Sequence, residues 1–284
     1  MIDVKNLYYS YHDDEIYAVS DINFHINDGE VFGLLGSIGS GKTTIQNILC
    51  GLLPFKKGDI IIDGIDLKNP TKAYFNDIGV LFERPKLYRK FTALENLRFF
   101  SRLYSKKCED PRELLAKVGL NNDIKKKVFD YTAGMIKRLG LARALINNPK
   151  TLLLDEPTSG IDNYSADIIK EVVFKKRDSI RSFFISTHNI QVAEKLCDRL
   201  GFIADGKIKK ISTLKKLKRE FGKNIIEVEY MFRGKVIKES LCPNNMAEKE
   251  LLANIMRSKK IKTMHTKEAT LDEIFLNLTG KELK

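Results

Sequence analysis

A glycine-rich segment after an apolar run contains the first residues whose types and spacing could do chemistry. Residues 31–35 are Val-Phe-Gly-Leu-Leu, residues 36–44 are Gly-Ser-Ile-Gly-Ser-Gly-Lys-Thr-Thr, and helical spacing of apolar residues continues over 45–53. Glycines let successive backbone N–H groups turn toward one anion, and the helix N-terminus adds a positive dipole end. The pattern predicts a loop for nucleotide phosphates, in which Lys42 reaches the β- and γ-phosphates and Thr43 ligates Mg²⁺. The predicted phosphate-binding residues are Gly36, Ser37, Ile38, Gly39, Ser40, Gly41, Lys42, Thr43 and Thr44.

Two adjacent carboxylates follow a second apolar run. Residues 151–154, Thr-Leu-Leu-Leu, have the composition of a buried strand, and Asp155 and Glu156 come directly after them. Ligands of open α/β sheets bind at the carboxyl ends of the strands. We therefore expect Asp155 to hold Mg²⁺ through water and Glu156 to polarise the attacking water as general base. The alternative is a buried strand that ends in an ordinary polar turn, and the phosphate loop argues against it.

The residues after these carboxylates extend the pattern to that of a known family. Residues 152–162 read Leu-Leu-Leu-Asp-Glu-Pro-Thr-Ser-Gly-Ile-Asp, and together with the phosphate loop they make residues 2–212 resemble the ATP-binding subunits of ABC transporters. The resemblance implies that 159–162 is a D-loop at a dimer interface, with Asp162 near the nucleotide. It also implies that His188 is the switch histidine that contacts the γ-phosphate. The alternative for His188 is a structural histidine after a strand.

The same family places an aromatic residue about 30 positions before the phosphate-loop lysine, where it stacks on adenine. Tyr11 matches this position. Three further tyrosines lie close by in the sequence, namely Tyr8, Tyr9 and Tyr17, so the alignment of Tyr11 with the family's aromatic position stays open. The alternative role for Tyr11 is simple packing in a strand. The resemblance thus implies that the base of ATP lies against Tyr11.

The signature motif of the family is degenerate in this chain. Leu-Ser-Gly-Gly-Gln aligns with Tyr131-Thr-Ala-Gly-Met135, after which helical spacing runs to Leu145. Thr132 keeps a hydroxyl, Gly134 keeps an open backbone N–H, and the helix N-terminus can still face a phosphate. We therefore expect Thr132, Ala133 and Gly134 to bind nucleotide despite the missing glutamine.

A second departure from the family pattern lies in Gly79-Val-Leu-Phe-Glu83, where the family usually has a glutamine that ligates Mg²⁺. The resemblance implies that Glu83 takes this place as a metal ligand in the catalytic site. The alternative is a surface acid in a loop, unrelated to the metal.

The order of elements predicts an α/β fold. It comprises a P-loop NTPase core with a parallel sheet, an N-terminal antiparallel β subdomain, a helical subdomain over about 84–147, and a small C-terminal α+β appendage. Thr92 and Glu95 form a capping box at the start of one helix. We expect an ATPase domain over 1–212 and an accessory domain over 213–284.

Composition limits the possible classes of protein. Hydrophobic residues make up 43% and charged residues 30% of the 284 residues, which predicts a folded globular chain. No apolar run approaches the roughly 18 residues that span a bilayer, which argues against a channel or carrier. The chain starts without a secretory signal pattern. The cysteines form no CxxC pair, which disfavours a zinc site. They are Cys50, Cys108, Cys197 and Cys242.

The net charge is +12, of which +6 lies in 213–284. An excess of basic residues favours binding to nucleic acid, to an anionic membrane face or to nucleotide phosphates, and charge alone does not distinguish among these three ligands.

Residues 268–280 resemble the ending of ATPase subunits that serve two-component exporters of drugs, antibiotics or lipids. Phe82, Tyr88 and Phe91 belong to an apolar set that also includes Pro85 and Leu87; this set either lines a groove for a partner or caps the protein's own core.

The resemblance implies an ATPase subunit that uses ATP and Mg²⁺ and dimerises when two ATP molecules are sandwiched. Each ATP would lie between one subunit's phosphate loop and the other subunit's residues 132–134. Closure would pull on a separate integral membrane subunit, which would hold this chain at the cytoplasmic face of the cell membrane and drive transport, with export the expected direction. No nucleic-acid partner is expected.

Two alternatives compete with this reading. A soluble ABC-type ATPase that acts on the ribosome or on DNA would explain the basic charge, but such proteins usually have two cassettes or a long coiled-coil insertion. Residues 36–134 leave room only for the ordinary helical subdomain. A small-molecule P-loop kinase would not need residues 132–134, residues 159–162 and His188 together.

Overall fold

The structure, a computed structural model, describes residues 1–12, 16–222 and 225–283. They form two units, Met1–Ile211 together with the last residues, and Ser212–Lys281. The strands are β1 (Ile2–Tyr9), β2 (Val19–Ile26), β3 (Glu30–Gly36), β4 (Lys57–Ile62), β5 (Ile65–Asp66), β6 (Ile78–Leu81), β7 (Thr151–Asp155), β8 (Ser182–Thr187), β9 (Arg199–Ala204), β10 (Lys207–Thr213), β11 (Ile225–Phe232), β12 (Lys235–Leu241) and β13 (Lys260–Lys267). The helices are α1 (Lys42–Leu49), α2 (Lys72–Asp77), α3 (Ala93–Ser101), α4 (Pro111–Lys117), α5 (Ala133–Leu145), α6 (Asn163–Lys175), α7 (Ile190–Leu196), α8 (Leu214–Phe221), α9 (Met246–Ser258) and α10 (Leu271–Thr279).

A six-stranded sheet in the first unit brings the candidate site residues to one edge. Its order is β10-β9-β3-β8-β7-β6, and the pairs formed by β3, β6, β7, β8 and β9 are parallel. Every residue of β3, β7 and β8 is buried, as expected for parallel strands covered on both faces. Because parallel strands end at the same edge, Gly36, Leu81, Asp155 and Thr187 lie on one side of the sheet.

A second sheet of the first unit, with the order β2-β1-β4-β5, is antiparallel. Its inward side chains share one core with β3, β8 and α1. The ring of Phe24 on β2 stacks on Phe32 of β3 with centroids 5.3 Å apart, and Phe184 of β8 lies 5.8 Å from Phe24. The predicted N-terminal antiparallel β subdomain is therefore present, and its apolar face packs beside the strands that lead into the site.

The helix after the phosphate loop ends earlier than apolar spacing over 45–53 predicts. Helix α1 begins at Lys42 and ends at Leu49, with Cys50 as its C-cap. Gly51 then takes a left-handed φ of +74°, a conformation that ends many helices and that glycine adopts at little cost. The predicted C-terminal end of this helix at Leu53 was wrong, because Leu52 and Leu53 continue the apolar spacing beyond a glycine that ends the helix.

Helices α3, α4 and α5 lie in the segment for which a helical subdomain is predicted. The capping box at α3 is confirmed, since Thr92 Oγ1 accepts from Glu95 N at 3.2 Å and Glu95 Oε2 accepts from Thr92 N at 2.7 Å. Helix α5 is buried around almost its whole circumference, including Lys137 and Arg138. A helix buried in this way has no polar face for charged side chains, so each of them needs a partner inside the protein.

The second unit is a small α+β structure. Its sheet has the order β12-β11-β13 and is antiparallel. Val228 and Tyr230 of β11 form its core with Leu252 and Ile255 of α9. Helix α10 begins with a second capping box, formed by Thr270 and Glu273. Within the described residues of both units, no helix combines the length and the apolar character needed to cross a bilayer.

We expect a chain that ends at Ser212 to fold and to bind ATP with the affinity of the full chain. The reason is that every residue predicted to contact nucleotide lies in the first unit, which has its own core. Calorimetric titration of ATP into both proteins measures this. A shortened chain that folds, as judged by circular dichroism, yet does not bind ATP would contradict the division of the protein into these two parts.

Candidate functional site

The loop between β3 and α1 has a backbone that only glycine satisfies at several positions. Gly39 and Gly41 have left-handed φ values of +80° and +103°. A Cβ atom at Gly41 would lie 2.8 Å from Val19 Cγ1, and one at Gly36 would lie 2.6 Å from the carbonyl oxygen of Ile203. The loop is therefore held closely against its surroundings, with backbone N–H groups left free of side-chain bulk, as anion binding requires.

Lys42 is the buried cation of this loop. Its side chain is 6% exposed, and Nζ donates to the carbonyl oxygens of Gly36 at 2.8 Å and Ser37 at 2.9 Å. Burial lowers the pKa of Lys42, and the carboxylate of Glu156, whose Oε1 lies 3.8 Å from Nζ, opposes this shift. The ammonium group thus lies within the loop itself, where bound phosphate would lie.

Ser40 supplies an observation that favours an anionic ligand. Its hydroxyl is buried and has no hydrogen-bond partner among the described residues. A buried hydroxyl without a partner costs roughly 1–3 kcal/mol of stability. A phosphate oxygen in the loop would give this hydroxyl an acceptor, so the residues present fit a nucleotide phosphate.

Asp155 and Thr43 provide the oxygen atoms suited to Mg²⁺. Thr43 Oγ1 and Asp155 Oδ1 are 3.5 Å apart, so the two oxygens lie close enough to hold one Mg²⁺, Thr43 directly and Asp155 through water. Burial raises the pKa of Asp155, whereas the hydroxyl of Ser186, 2.5 Å from Oδ1, acts in the opposite direction. The predicted metal ligands Thr43 and Asp155 therefore lie together at the strand ends.

Glu156 and His188 form a pair directly beside these groups. His188 Nδ1 is 2.7 Å and the His188 backbone N is 2.9 Å from Glu156 Oε1, while Thr187 Oγ1 donates to Oε2 at 3.2 Å. Glu156 has a left-handed φ of +44°, which costs about 1–2 kcal/mol for a residue with a side chain. Such strain is found mainly where the surrounding structure imposes it, often at functional sites. The arrangement can hold a general base in one orientation.

Glu83 lies in the loop directly after β6 and is exposed. Its carboxylate charge acts on the pKa values of Lys42 and Asp155, so it belongs to the same group of charges. Its backbone carbonyl accepts a hydrogen bond from Lys137 Nζ. Sequence reasoning missed Lys137 as part of this group, although a lysine in a helix with apolar residues all around is a signal that could have been used.

Tyr11 lies just after β1 of the antiparallel sheet and reaches the phosphate loop. Its hydroxyl lies 3.0 Å from Thr44 Oγ1, and the residue is 56% exposed. Tyr9 packs against Tyr11 edge to face at 5.1 Å. Tyr8 and Tyr17 instead contact each other at 5.4 Å. Tyr11 is the most exposed of the four tyrosines, which favours it as the ring available to a base.

The residues of the degenerate signature form a second cluster with Asp162. Thr132 caps α5 by accepting from Met135 N at 3.3 Å, and Asp162 caps α6 by accepting from Ser165 N at 2.8 Å. A Cβ atom at Gly134 would lie 2.2 Å from Ser165 Oγ and 2.6 Å from Asp162 Oδ2. Across the part of the chain that the structure describes, no hydrogen bond or ion pair joins Thr132, Ala133, Gly134 or Asp162 to the phosphate loop. The chain thus presents two separate sets of predicted nucleotide-binding residues.

Comparison with known proteins identifies the class that this fold and site define. A family model described as ABC transporter matches residues 19–159. The fluoroquinolones export ATP-binding protein of Mycobacterium tuberculosis is 37% identical over 284 residues, which is 100% of this chain and 94% of that protein. The Nod factor export ATP-binding protein I of Burkholderia orbicola is 31% identical over 301 residues, covering 100% of this chain and 98% of that protein. The chain belongs to the family of ABC transporter ATP-binding proteins.

Solved structures agree with this assignment. An ATP-binding cassette solved as a dimer in a post-hydrolysis state, bound to ADP and Pi, is similar with a TM-score of 0.69 at 28% identity, covering 75% of this chain and 99% of that one. A dimeric bacterial ABC transporter cassette gives a TM-score of 0.68 at 27% identity, with 75% and 99% covered. The predicted family, the α/β P-loop NTPase fold and the ATPase activity are confirmed. The roles of individual site residues stay predictions.

We expect Glu83→Gln to leave hydrolysis within about an order of magnitude and to make ATP binding less dependent on Mg²⁺. A carboxylate at the metal position is a good Mg²⁺ ligand, but without the metal it repels the phosphates and Glu156. Removing that charge should shift the Mg²⁺ dependence by about 1 kcal/mol, or roughly fivefold in affinity. Glu83→Ala should slow turnover more than Glu83→Gln.

Calorimetric titration of ATP into the wild-type protein and Glu83→Gln, each with Mg²⁺ and with EDTA, measures the effect. The exposed Glu171 on α6, whose carboxylate pairs with Lys175, offers a control as Glu171→Gln. Identical metal dependence in all three proteins would mean that Glu83 points away from the metal.

Proposed function

We propose that this chain is the ATP-hydrolysing subunit of an exporter and that it drives a separate integral membrane subunit from the cytoplasmic side. The observation on which this proposal depends most is the pairing of Glu156 with His188 next to Lys42 and Asp155. A general base, a phosphate-binding cation and a metal-binding carboxylate at one edge of a sheet are the groups that ATP hydrolysis requires. The two export proteins that match over this chain's whole length support the direction of transport.

The nucleotide-binding steps follow from the positions of the side chains. Tyr11 stacks on adenine, and the loop N–H groups and Lys42 surround the phosphates, where Lys42 exchanges the Gly36 and Ser37 carbonyls for phosphate oxygens. Thr43 and Asp155 would hold Mg²⁺, with Glu83 as a further ligand. Bound Mg²⁺ would supply positive charge against the β- and γ-phosphate oxygens.

The hydrolytic step depends on Glu156. Its carboxylate accepts the proton of the water that attacks the γ-phosphate, and this proton transfer is the role of a general base. His188, which contacts Glu156 Oε1 through both its ring and its backbone N–H, keeps the carboxylate in one orientation and contacts the γ-phosphate. Fixing the orientation before reaction reduces the reorganisation that the transition state requires.

A second subunit completes each site. Thr132, Ala133 and Gly134 lie at the N-terminus of α5 and are directed, with Asp162, at the ATP held by the other subunit. In this arrangement two subunits close on two ATP molecules, and each helix N-terminus faces a γ-phosphate. The separation of the two clusters within one chain and the dimeric form of similar solved cassettes support this arrangement.

A groove in the first unit offers a docking site for the membrane subunit. It has a volume of about 730 Å³ and lies between α2, the end of α1 and helices α3 and α5. Its apolar wall includes Phe75, Phe82, Phe100 and Leu103. Beside it, Tyr88, Phe91 and Phe99 form a partly exposed aromatic cluster. We infer that a short helix of the membrane subunit binds here and holds the chain at the inner face of the membrane.

Part of the apolar set predicted for this groove serves the protein's own core instead. A Cβ atom at Gly140 would lie 2.7 Å from Pro85 Cγ, so Pro85 packs directly onto α5. Phe82 both lines the groove and packs against the core of the first unit, and the guanidinium group of Arg143 lies 5.8 Å from the centre of its ring. Pro85 therefore supports packing within the protein, whereas Phe82 is compatible with both alternatives that the sequence left open.

We expect Glu156→Gln to abolish turnover while leaving ATP binding intact, because an amide cannot accept the water's proton whereas Lys42, Thr43 and Asp155 remain. The variant should accumulate as an ATP-bound dimer. Size-exclusion chromatography with and without ATP measures this, with Glu171→Gln as a control that keeps turnover. A variant that binds ATP tightly and stays strictly monomeric would argue against the sandwiched dimer.

A further inference from the structure

Lys137 is a buried lysine for which the mechanism has no role so far. It lies on α5, three residues after Gly134, and is 3% exposed. In the described part of the chain, its ammonium group donates one hydrogen bond, to the backbone carbonyl of Glu83. Burying an ammonium group costs several kcal/mol unless opposite charge and hydrogen bonds compensate. The position of Lys137 therefore needs a physical explanation.

The compensating charges are those of the candidate nucleotide site. Burial lowers the pKa of Lys137, and the carboxylates of Glu83, Asp155 and Glu156 oppose that shift, with Glu83 the strongest of the three. Lys42 is the other buried lysine near these carboxylates. The first unit thus places two cations around one set of acids, one from the phosphate loop and one from the helix that starts at the degenerate signature.

Helix α5 holds the segment that contains Glu83 at several further points. Arg143 donates to the carbonyl oxygen of Lys86 at 2.6 Å and to that of Val80 at 3.4 Å. Pro85 packs against Gly140. Lys137, Gly140 and Arg143 are spaced three residues apart, so they lie on one face of α5. This face contacts the segment from Val80 to Lys86 through backbone carbonyls and one proline ring, and Lys137 makes the contact at Glu83 itself.

We propose that Lys137 is a positioning residue that holds Glu83 toward the Mg·ATP site and ties it to the helix whose N-terminus is the degenerate signature. A carboxylate at the metal position adds negative charge beside Asp155 and Glu156, and a fixed ammonium group nearby offsets this charge. Because the hydrogen bond is to the Glu83 backbone, Lys137 fixes the loop as well. This proposal rests on the proposed function, since it presupposes that Mg·ATP binds here.

The test compares Glu83→Gln in two backgrounds, the wild-type protein and Lys137→Met. If Lys137 holds Glu83 at the metal, Glu83→Gln should reduce the Mg²⁺ dependence of ATP binding about fivefold in the wild-type background and by less than about twofold in the Lys137→Met background. Two groups that act independently would give equal effects in both. Calorimetric titration of ATP into the four proteins, each with Mg²⁺ and with EDTA, gives the eight affinities that the comparison needs.

A measurement without nucleotide or metal examines the loop directly. The chain contains no tryptophan, so Phe82→Trp provides a single emission signal from the residue beside Glu83. We expect Lys137→Met to move this emission to longer wavelength and Lys137→Arg, which keeps a cationic donor, to leave it nearly unchanged. Lys126→Met removes an exposed lysine in the connection between α4 and α5 and should have no effect, which makes it the matched control.

The possible results separate this proposal from the proposed function. Equal effects of Glu83→Gln on the Mg²⁺ dependence of ATP binding in both backgrounds would overturn the positioning role. An emission maximum that Lys137→Met does not move would overturn it as well. In either case, ATP turnover by the wild-type protein would still support the proposed function as an ATPase subunit. A Glu83→Gln variant without any change in metal dependence would also overturn it. If Lys137→Met does not fold, Lys137→Gln removes the charge and is too short to reach the carbonyl, and the same comparisons apply. Absence of ATP turnover in the wild-type chain would instead contradict the proposed function.

Discussion

The burial of Lys42, Asp155 and Glu156 at the ends of parallel strands is the constraint on which the rest of the site depends. All three side chains are more than nine-tenths buried, and removing such charges from water costs several kcal/mol each before pairing. The nucleotide-free protein offsets part of this cost through the loop carbonyls around Lys42 and through Ser186 and His188 around the acids. Mg²⁺ would stabilise the two carboxylates and phosphate would stabilise Lys42 more strongly than these contacts do, because each brings a full opposite charge into a site with little water.

The surrounding fold keeps these groups in place through long-range polar contacts in its core. Gln46 of α1 is fully buried; its amide nitrogen donates to the Leu81 carbonyl at 3.3 Å, and its oxygen lies 3.1 Å from Ser186 Oγ. Ser186 in turn contacts Asp155. One side chain from the phosphate-loop helix therefore connects the ends of β6, β7 and β8. Since β7 and β8 are completely buried, the site can change mainly through its loops, which is where Glu83, Glu156 and His188 lie.

Local patterns allowed much of the fold and of the site's composition to be predicted. The phosphate loop, the strand before Asp155 and the capping box at Thr92 depend on neighbours within a few residues, so spacing alone reveals them. The early end of α1 was missed because a left-handed glycine outweighed apolar spacing. Lys137 was missed because its acceptor lies 54 residues away in the chain, and the pairing of Glu156 with His188 could be expected only from the family resemblance. Contacts of this length depend on how strands are ordered in the sheet, which no local spacing encodes.

The most direct test of this account is the affinity of Mg·ATP for the wild-type protein and for Lys42→Met, measured by calorimetry alongside thermal unfolding of both proteins. We expect Lys42→Met to bind Mg·ATP roughly 100-fold more weakly, because a charge-assisted hydrogen bond to phosphate contributes up to about 3 kcal/mol. We also expect the variant to unfold at a temperature no lower than the wild type, since the substitution removes a buried charge. Equal affinity in the two proteins would contradict the claim that the charges at the strand ends are arranged for nucleotide phosphates.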